Sequence, residues 1–232
     1  MKTIGLIGGM SWESSAEYYR LINEGMKTRL GAHNNARSLM VTVNFQEIKE
    51  LQHDGRWDAA GNLMAAAACQ LAAGGADFVV LCTNTMHKVA AAIDSAVTIP
   101  LLHIADATGA AIQRAGIQRV GLLGTAFTME QDFYKGRLKE KFGLDVITPN
   151  EADRLLVHTI IYDKLCHGQI HESDRKEYQR IIASLQADGA EGVILGCTEI
   201  MLLIKSTDVS LPIFDTTQLH CDAAIEMALT SP

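Results

Sequence analysis

The feature that most constrains the fold is an internal repeat. IGLIGG at residues 4–9 recurs as VGLLGT at 120–125, an offset of 116 residues, and Tyr18 and Tyr134 share that offset. GADFVVLCTNT at 75–85 matches GAEGVILGCTE at 189–199 without a gap, at an offset of 114. The segments that begin at Ile99 and Leu211 also resemble each other, at an offset of 112 to 113. Such constant spacing predicts a duplicated unit, although α/β units in general share apolar strands that end in glycine.

Within each copy, short β-rich runs alternate with longer helical stretches. Ile4–Gly8 is a continuous apolar run closed by glycine, which is typical of a strand buried on both faces. Ser11 is placed to cap the helix that follows. Alternation of this kind predicts parallel sheets flanked by helices. The other strand candidates of the first copy are Leu39–Phe45, Phe78–Cys82 and Pro100–His103.

The predicted fold class is therefore α/β, with two pseudo-symmetric domains that each hold a four-stranded parallel sheet. We predict a first domain of residues 1–104 plus 211–232 and a second of residues 105–210. No Pro- or Ser-rich linker separates the copies, so we expect the halves to pack closely, with the active site at the domain interface.

Composition narrows the function classes. A formal net charge of −7 without any Lys/Arg cluster argues against a nucleic-acid partner. The apolar tracts are too short or too interrupted for a signal-peptide core or a membrane span. Five scattered cysteines without C-x-x-C spacing predict neither a disulfide framework nor a zinc knuckle, and fit a reduced, cytoplasmic compartment.

The stretch LCTNTMHK at 81–88 poses the question of which side chain would face a substrate. In the repeat, Thr83 and not Cys82 aligns with Cys197, and both aligned residues follow the third strand of their copy. Ligands gather at this edge of open parallel sheets. Neighbouring strand residues point to opposite faces, so Cys82 is predicted to be a buried packing residue.

Two quasi-equivalent side chains facing one cleft suggest racemisation without a cofactor, which needs a base and an acid on opposite faces of a carbon. A thiol suits this chemistry because its pKa can be tuned toward neutrality. Helix N-termini directly after both strands would favour the thiolate and bind a substrate carboxylate.

The motifs VVLCTNTMH and VILGCTE, together with the opening GLIGGMSWESS, resemble those of the aspartate/glutamate racemase superfamily. The resemblance covers essentially the whole chain. It implies two pseudo-symmetric α/β domains, a site between them, an amino-acid substrate, no pyridoxal phosphate or metal, and a homodimer. The family's first cysteine falls on Thr83 and its second on Cys197, so the expected catalytic pair is unequal.

The resemblance further implies that Cys197 abstracts the α-proton of the L enantiomer and that Thr83 reprotonates the opposite face. Because a hydroxyl is a far weaker acid than a thiol, related activities stay open: a single-thiol decarboxylase, a hydantoin racemase or a maleate isomerase. A non-catalytic small-molecule-binding protein is a further alternative.

Several polar residues are predicted to hold the substrate. Backbone N–H groups of Met10 and Ser11 are candidates for a carboxylate, with helix capping by Ser11 as the alternative. Donors on Asn84, Thr85 and Thr198 are candidates for the α-carboxylate.

Glu199 is the candidate for the substrate ammonium, and a carboxylate there suggests the aspartate-type or a broader branch. By resemblance, Gln52 and Lys164 contact the substrate's polar ends, although a solvated helix lysine is the commoner fate. His87 is a possible neighbour of the site. His103 and His220 are predicted to be core or surface histidines rather than bases, and Cys69, Cys166 and Cys221 are predicted to serve packing.

Overall fold

The computed structural model describes residues 1–230 and divides into two compact units. The first contains Met1–His103 and the segment from His220 onward, and the second contains Ile104–Leu219. Residues 231–232, which the predicted first domain includes, lie outside the described residues.

The first unit holds a four-stranded sheet whose pairings are all parallel, in the order β2-β1-β3-β4. Helices and a 3-10 helix connect these strands. In chain order its elements are β1 Ile4–Gly8, α1 Trp12–Leu30, β2 Ser38–Thr42, α2 Phe45–His53, α3 Trp57–Ala73, β3 Phe78–Leu81, the 3-10 helix Thr85–Val89, α4 Ala90–Ala96 and β4 Leu101–Leu102.

The second unit repeats this plan in the order β6-β5-β7-β8, again fully parallel. The predicted fold class, two four-stranded parallel sheets flanked by helices, is thereby confirmed. Its elements and the last helix are α5 Ile104–Arg114, β5 Arg119–Gly124, α6 Ala126–Glu130, α7 Asp132–Phe142, β6 Asp145–Ile147, α8 Glu151–Asp163, the 3-10 helix Leu165–His167, α9 Glu172–Ala187, β7 Gly192–Gly196, α10 Ile200–Leu203, β8 Ile213–Asp215 and α11 Thr216–Leu229.

Strand β1 is buried along its whole length, as its apolar run predicted. Its side chains alternate between two hydrophobic clusters on the two faces of the sheet. Ile4 and Leu6 pack with Tyr18 on one face, and Ile7 packs with Met64 on the other. Burial on both faces accounts for the apolar composition of this strand.

The second strand is shorter than predicted. It ends at Thr42, and Phe45 already begins α2. Asn44 is the reason, because its side chain accepts a hydrogen bond from the Gln46 N–H and caps the helix. The apolar run 39–45 thus contains a strand followed by a helix start.

The boundary between the units also differs from the predicted ranges. Residues from 211 onward were assigned to the first domain, yet β8 pairs with β7 in the second sheet. Thr216 continues that attachment by donating its hydroxyl to the Leu195 carbonyl oxygen over 2.8 Å. The chain therefore passes to the first unit only at His220.

The helix that follows the fourth strand of each copy belongs mainly to the other unit. α5 lies in the second unit, where Asp106 accepts hydrogen bonds from Arg137 over 2.6 and 2.8 Å. α11 from His220 onward lies in the first unit, where Ile225 packs against Gly25 on α1. Each sheet is thus covered in part by a helix encoded by the other copy.

Among the described residues, no helix combines the length and the apolar character needed to cross a membrane.

Candidate active site

The first candidate half-site lies at the carboxyl end of β3. The Cys82 N–H still donates to the Ile7 carbonyl oxygen over 3.0 Å, but the Thr83 N–H turns back to the Leu81 carbonyl oxygen over 2.8 Å. The strand therefore ends here, and the 3-10 helix begins at Thr85. Thr83, Asn84 and Thr85 are all largely buried, with Thr83 8% exposed. The Thr83 hydroxyl makes no hydrogen bond to any described residue, which leaves it available to a ligand.

Cys82 has the environment that the alternation of strand residues predicts. It is fully buried in the cluster that contains Val80 and Tyr18. Burial in this apolar setting raises the pKa of its thiol far above the ordinary value. Because no part of the side chain is exposed to a ligand, Cys82 serves packing.

The start of α1 is tied to the same edge of the sheet. The Ser11 hydroxyl oxygen accepts a hydrogen bond from the Ser14 N–H over 3.3 Å, so Ser11 is the helix cap. The Ser14 hydroxyl donates to the Cys82 carbonyl oxygen over 3.0 Å. Met10 and Ser11 therefore lie on the loop beside the end of β3, and both are buried.

Gln52 lies on α2 and is also buried. Its side-chain amide donates to the Met86 sulfur over 3.1 Å. Since Met86 belongs to the 3-10 helix that follows Thr83, the structure brings Gln52 to the wall of the first half-site.

Three buried histidines lie behind this half-site. The ring of His87 lies 4.4 Å from that of His103 and 5.9 Å from that of His220, centroid to centroid. His87 Nδ1 is 2.8 Å from the Thr83 carbonyl oxygen. His103 and His220 are buried in the core, one of the two alternatives (core or surface) that the sequence left open. In residues 1–230, no set of His, Cys, Asp or Glu side chains is arranged to hold a metal ion.

The second candidate half-site lies at the carboxyl end of β7, before α10. The Cys197 thiol donates to Glu199 Oε2 over 2.9 Å, and the Thr198 hydroxyl donates to the same oxygen over 2.7 Å. Thr198 and Glu199 are buried and Cys197 is partly buried. The structure thus brings the three predicted residues of this motif together, with the carboxylate in direct contact with the thiol.

The electrostatics of Cys197 contradict the expectation of a stabilised thiolate. Its pKa is raised well above the ordinary value, first by burial and then by the negative charge of Glu199. The helix that follows, α10, has only four residues, and the dipole of so short a helix is too weak to offset these effects. Cys197 is therefore a thiol at neutral pH.

Lys164 lies at the end of α8, where it forms an ion pair with Asp174 on α9 at 2.7 Å. Asp174 is nearly fully buried, and its Oδ2 has no hydrogen-bond partner in the described residues. Burial, and then the negative charges that Cys197 and Asp174 would carry, raise the pKa of Tyr178.

Sequence reasoning missed the two carboxylate contacts of this half-site. The hydrogen bond between Cys197 and Glu199 could have been predicted from the sequence, because the two residues lie two positions apart at the end of a strand. The contact between Lys164 and Asp174 could not have been predicted in this way, since it joins two different helices. Cys69 was predicted to pack, but it is exposed, because its position on α3 faces away from the cluster that Ala68 joins.

Comparisons with known proteins agree with this architecture. The family model described as Asp/Glu/Hydantoin racemase matches residues 7–224. A crystal structure from Yersinia pestis, provisionally assigned as an Asp/Glu racemase, is 52% identical with a TM-score of 0.93, covering 99% of this chain and 100% of its own.

Two further relatives extend the comparison. The crystal structure of an aspartate racemase homologue from Pyrococcus horikoshii is 34% identical with a TM-score of 0.87, and covers 99% of this chain and 100% of its own. The broad specificity amino-acid racemase RacX of Bacillus subtilis is 24% identical over 219 residues, 92% of each chain.

Proposed function

Because the chain belongs to the Asp/Glu/hydantoin racemase family, we propose that it racemises amino acids without a cofactor, by two-base proton transfer at the α-carbon. The substrates are aspartate, glutamate or a broader set. The observation that carries the proposal is the 2.9 Å hydrogen bond from the Cys197 thiol to Glu199 at the carboxyl end of β7. Through this hydrogen bond the Cys197 thiol, as the acid–base group, is already in contact with a proton acceptor, the Glu199 carboxylate.

In the proposed reaction, Cys197 acts on the L enantiomer. The thiol first loses its proton to the Glu199 carboxylate, and the thiolate then takes the α-proton, leaving the electron pair delocalised into the substrate carboxylate. A thiolate whose pKa is raised is a stronger base than an ordinary one. The environment that makes this thiolate scarce therefore makes it more effective once formed.

Thr83 acts on the opposite face. Its hydroxyl gives a proton to the carbanionic carbon and takes up a proton from solvent, so that no alkoxide accumulates. The proton that Glu199 took from the thiol is released to solvent, which restores the starting state. The hydroxyl's lack of a hydrogen-bond partner among the described residues supports this role. Since racemisation has an equilibrium constant of unity, kcat/KM is equal in the two directions, and any preference shows only in kcat and KM separately.

The substrate's charged groups are assigned to the surrounding donors and acceptors. We assign the α-carboxylate to Asn84, Thr85, Thr198 and the N–H groups of Met10 and Ser11, which would also stabilise the charge that develops on it. Glu199 is assigned to the ammonium as a carboxylate while the substrate binds. When it takes the thiol proton it becomes neutral and keeps only a hydrogen bond from the ammonium.

We assign Gln52 and Lys164 to the polar group at the end of the substrate's side chain. The Lys164 ammonium already has Asp174 as a partner, so a distal carboxylate would share or replace that contact.

The test is incubation of the purified protein with L- and D-amino acids in D2O, following α-proton exchange and optical rotation. We expect loss of activity by about 100-fold or more in Cys197→Ala, as for removal of a general acid or base. Thr83→Ala should lose racemisation to a similar degree, and Thr83→Ser should retain most of it. Cys82→Ala is the matched control, and its activity should be unchanged. Absence of exchange with every amino acid would exclude racemisation.

A single-thiol lyase of the same family is the second candidate, because only one of the two aligned positions carries a thiol. Release of CO2 from a substituted malonate, abolished in Cys197→Ala and retained in Thr83→Ala, would favour it.

A further inference from the structure

A buried imidazole is hydrogen-bonded to the main chain of the proposed acid Thr83. His87 Nδ1 lies 2.8 Å from the Thr83 carbonyl oxygen, and His87 is only 2% exposed. A carbonyl oxygen can only accept, so Nδ1 must carry the proton and donate. The tautomer of His87 is therefore fixed by the contact itself.

The ring of His87 is held in turn by two further buried histidines. It lies against His103, at 4.4 Å between centroids, and near His220, at 5.9 Å. His220 Nε2 is 2.8 Å from the Leu102 carbonyl oxygen, so this nitrogen donates, and its Nδ1 accepts from the Tyr18 hydroxyl at 2.9 Å. Packing and hydrogen bonds thus leave the three rings little freedom to move.

Within the described residues, the second copy has no histidine at the three corresponding positions. At the offsets of the repeat, Met201 corresponds to His87, Asp215 to His103 and Thr108 to His220. The imidazole cluster is therefore built only behind the half-site that presents a hydroxyl. The half-site with the thiol has instead a carboxylate in contact with the reacting atom.

The local backbone explains why such a support is useful. After Thr83 the chain enters a 3-10 helix of five residues, whose hydrogen bonds have poorer geometry than those of an α-helix. A proton donor misplaced by about 1 Å costs about 100-fold in rate. A weak acid such as a hydroxyl depends on alignment more than a thiol does.

We infer that His87 is a positioning residue for Thr83, and that its Nδ1–H, donated to the Thr83 carbonyl oxygen, fixes the direction in which the Thr83 hydroxyl points. The inference rests on the proposed two-base function and adds to it. His87 acts through the Thr83 main chain and does not touch the substrate.

The test separates the two faces of the reaction. With an L-amino acid in D2O, deuterium entering the recovered L enantiomer reports the Cys197 step, and formation of the D enantiomer reports delivery by Thr83. The ratio of these two rates does not depend on how much of a variant is folded. General destabilisation would therefore leave the ratio unchanged.

Three substitutions distinguish a donor at the right place from a merely buried ring. His87→Asn keeps an N–H donor the same number of bonds from the backbone as Nδ1, His87→Gln moves it one bond outward, and His87→Leu removes it. We expect the ratio of L-deuteration to D-formation to rise by about tenfold or more in His87→Gln and His87→Leu, as for loss of a buried hydrogen bond. In His87→Asn it should stay within about threefold of wild type.

Met201→Leu, at the equivalent position of the second copy, is the control and should keep the wild-type ratio. An unchanged ratio in His87→Leu, or a raised ratio in His87→Asn, would overturn the inference while leaving the proposed function intact. Absence of any exchange in the wild-type protein would overturn both.

Discussion

The Tyr18 hydroxyl donates to Nδ1 of His220 over 2.9 Å, and both residues are fully buried. In the second unit, Tyr134 donates to Thr108 over 3.3 Å. The two tyrosines correspond in the repeat, and so do His220 and Thr108. In each unit, a tyrosine near the sheet therefore holds the helix that is encoded by the other copy.

The burial of His220 predicts a loss of stability in mild acid. Burial lowers its pKa to about 4, whereas in the unfolded chain it is about 6.5. Between these values the unfolded state binds more protons, so the free energy of unfolding should fall as pH drops from 6.5 to 4, by up to about 3 kcal/mol. Urea unfolding at a series of pH values between 6.5 and 4 measures this change in the free energy of unfolding. His220→Gln, which does not titrate, should flatten the dependence, and an identical slope in the variant would refute the assignment.

Replacement of Glu199 by glutamine should separate its two effects on Cys197. Removing the negative charge lowers the pKa of the Cys197 thiol, because Glu199 contributes to raising it. The pH profile of iodoacetamide labelling, located by mass spectrometry, should therefore shift to lower pH. Racemisation should nevertheless fall by about tenfold or more, since the proton acceptor is lost.

A faster Glu199→Gln enzyme would show that the carboxylate only restrains the thiol. Cys69 is exposed and provides an internal standard for the labelling.

Substitutions of Lys164 and of Asp174 should change the KM for acidic amino acids in opposite directions. Lys164→Met should raise KM for aspartate and glutamate by about tenfold, as for loss of a charged hydrogen bond. It should leave KM for an amino acid with a neutral side chain nearly unchanged. Asp174→Asn removes the competing carboxylate 2.7 Å from the ammonium and should lower KM for the acidic amino acids. Parallel changes for acidic and neutral substrates would place Lys164 outside the site.

The loop after β1 depends on Gly9. Its φ is +94°, and a Cβ there would lie 2.1 Å from the Val43 carbonyl oxygen. Gly9→Ala should therefore lower the free energy of unfolding by more than about 2 kcal/mol. Gly136 lies inside α7, where an added Cβ would make only an ordinary contact with Asp132 Cβ at 3.5 Å, and it is the matched control. Gly136→Ala should raise stability by about 0.5–1 kcal/mol in the same urea titration.

Much of the fold follows from local patterns and their spacing. The repeat predicted two sheets of four parallel strands, and β1 occupies Ile4–Gly8 as the apolar run indicated. The alternation of strand residues also predicted that Cys82 is buried. These features depend on periodicity and on turn residues, which are properties of neighbouring positions.

The boundaries were harder to predict. Asn44 ends the second strand region by capping α2. The apolar run alone does not show whether these residues continue the strand or begin a helix. The change of unit at His220 depends on β8 joining β7, which is a pairing between distant segments.

The sequence by itself determined the repeat, the α/β class, and the alignment that sets Thr83 opposite Cys197 in the two copies. Only the tertiary structure decided the protonation of Cys197, the ion pair of Lys164 and the histidine cluster behind Thr83. The physical reason is that a pKa depends on burial and on charges brought close by folding. His87, His103 and His220 come from three separate segments, so no local pattern marks their contact.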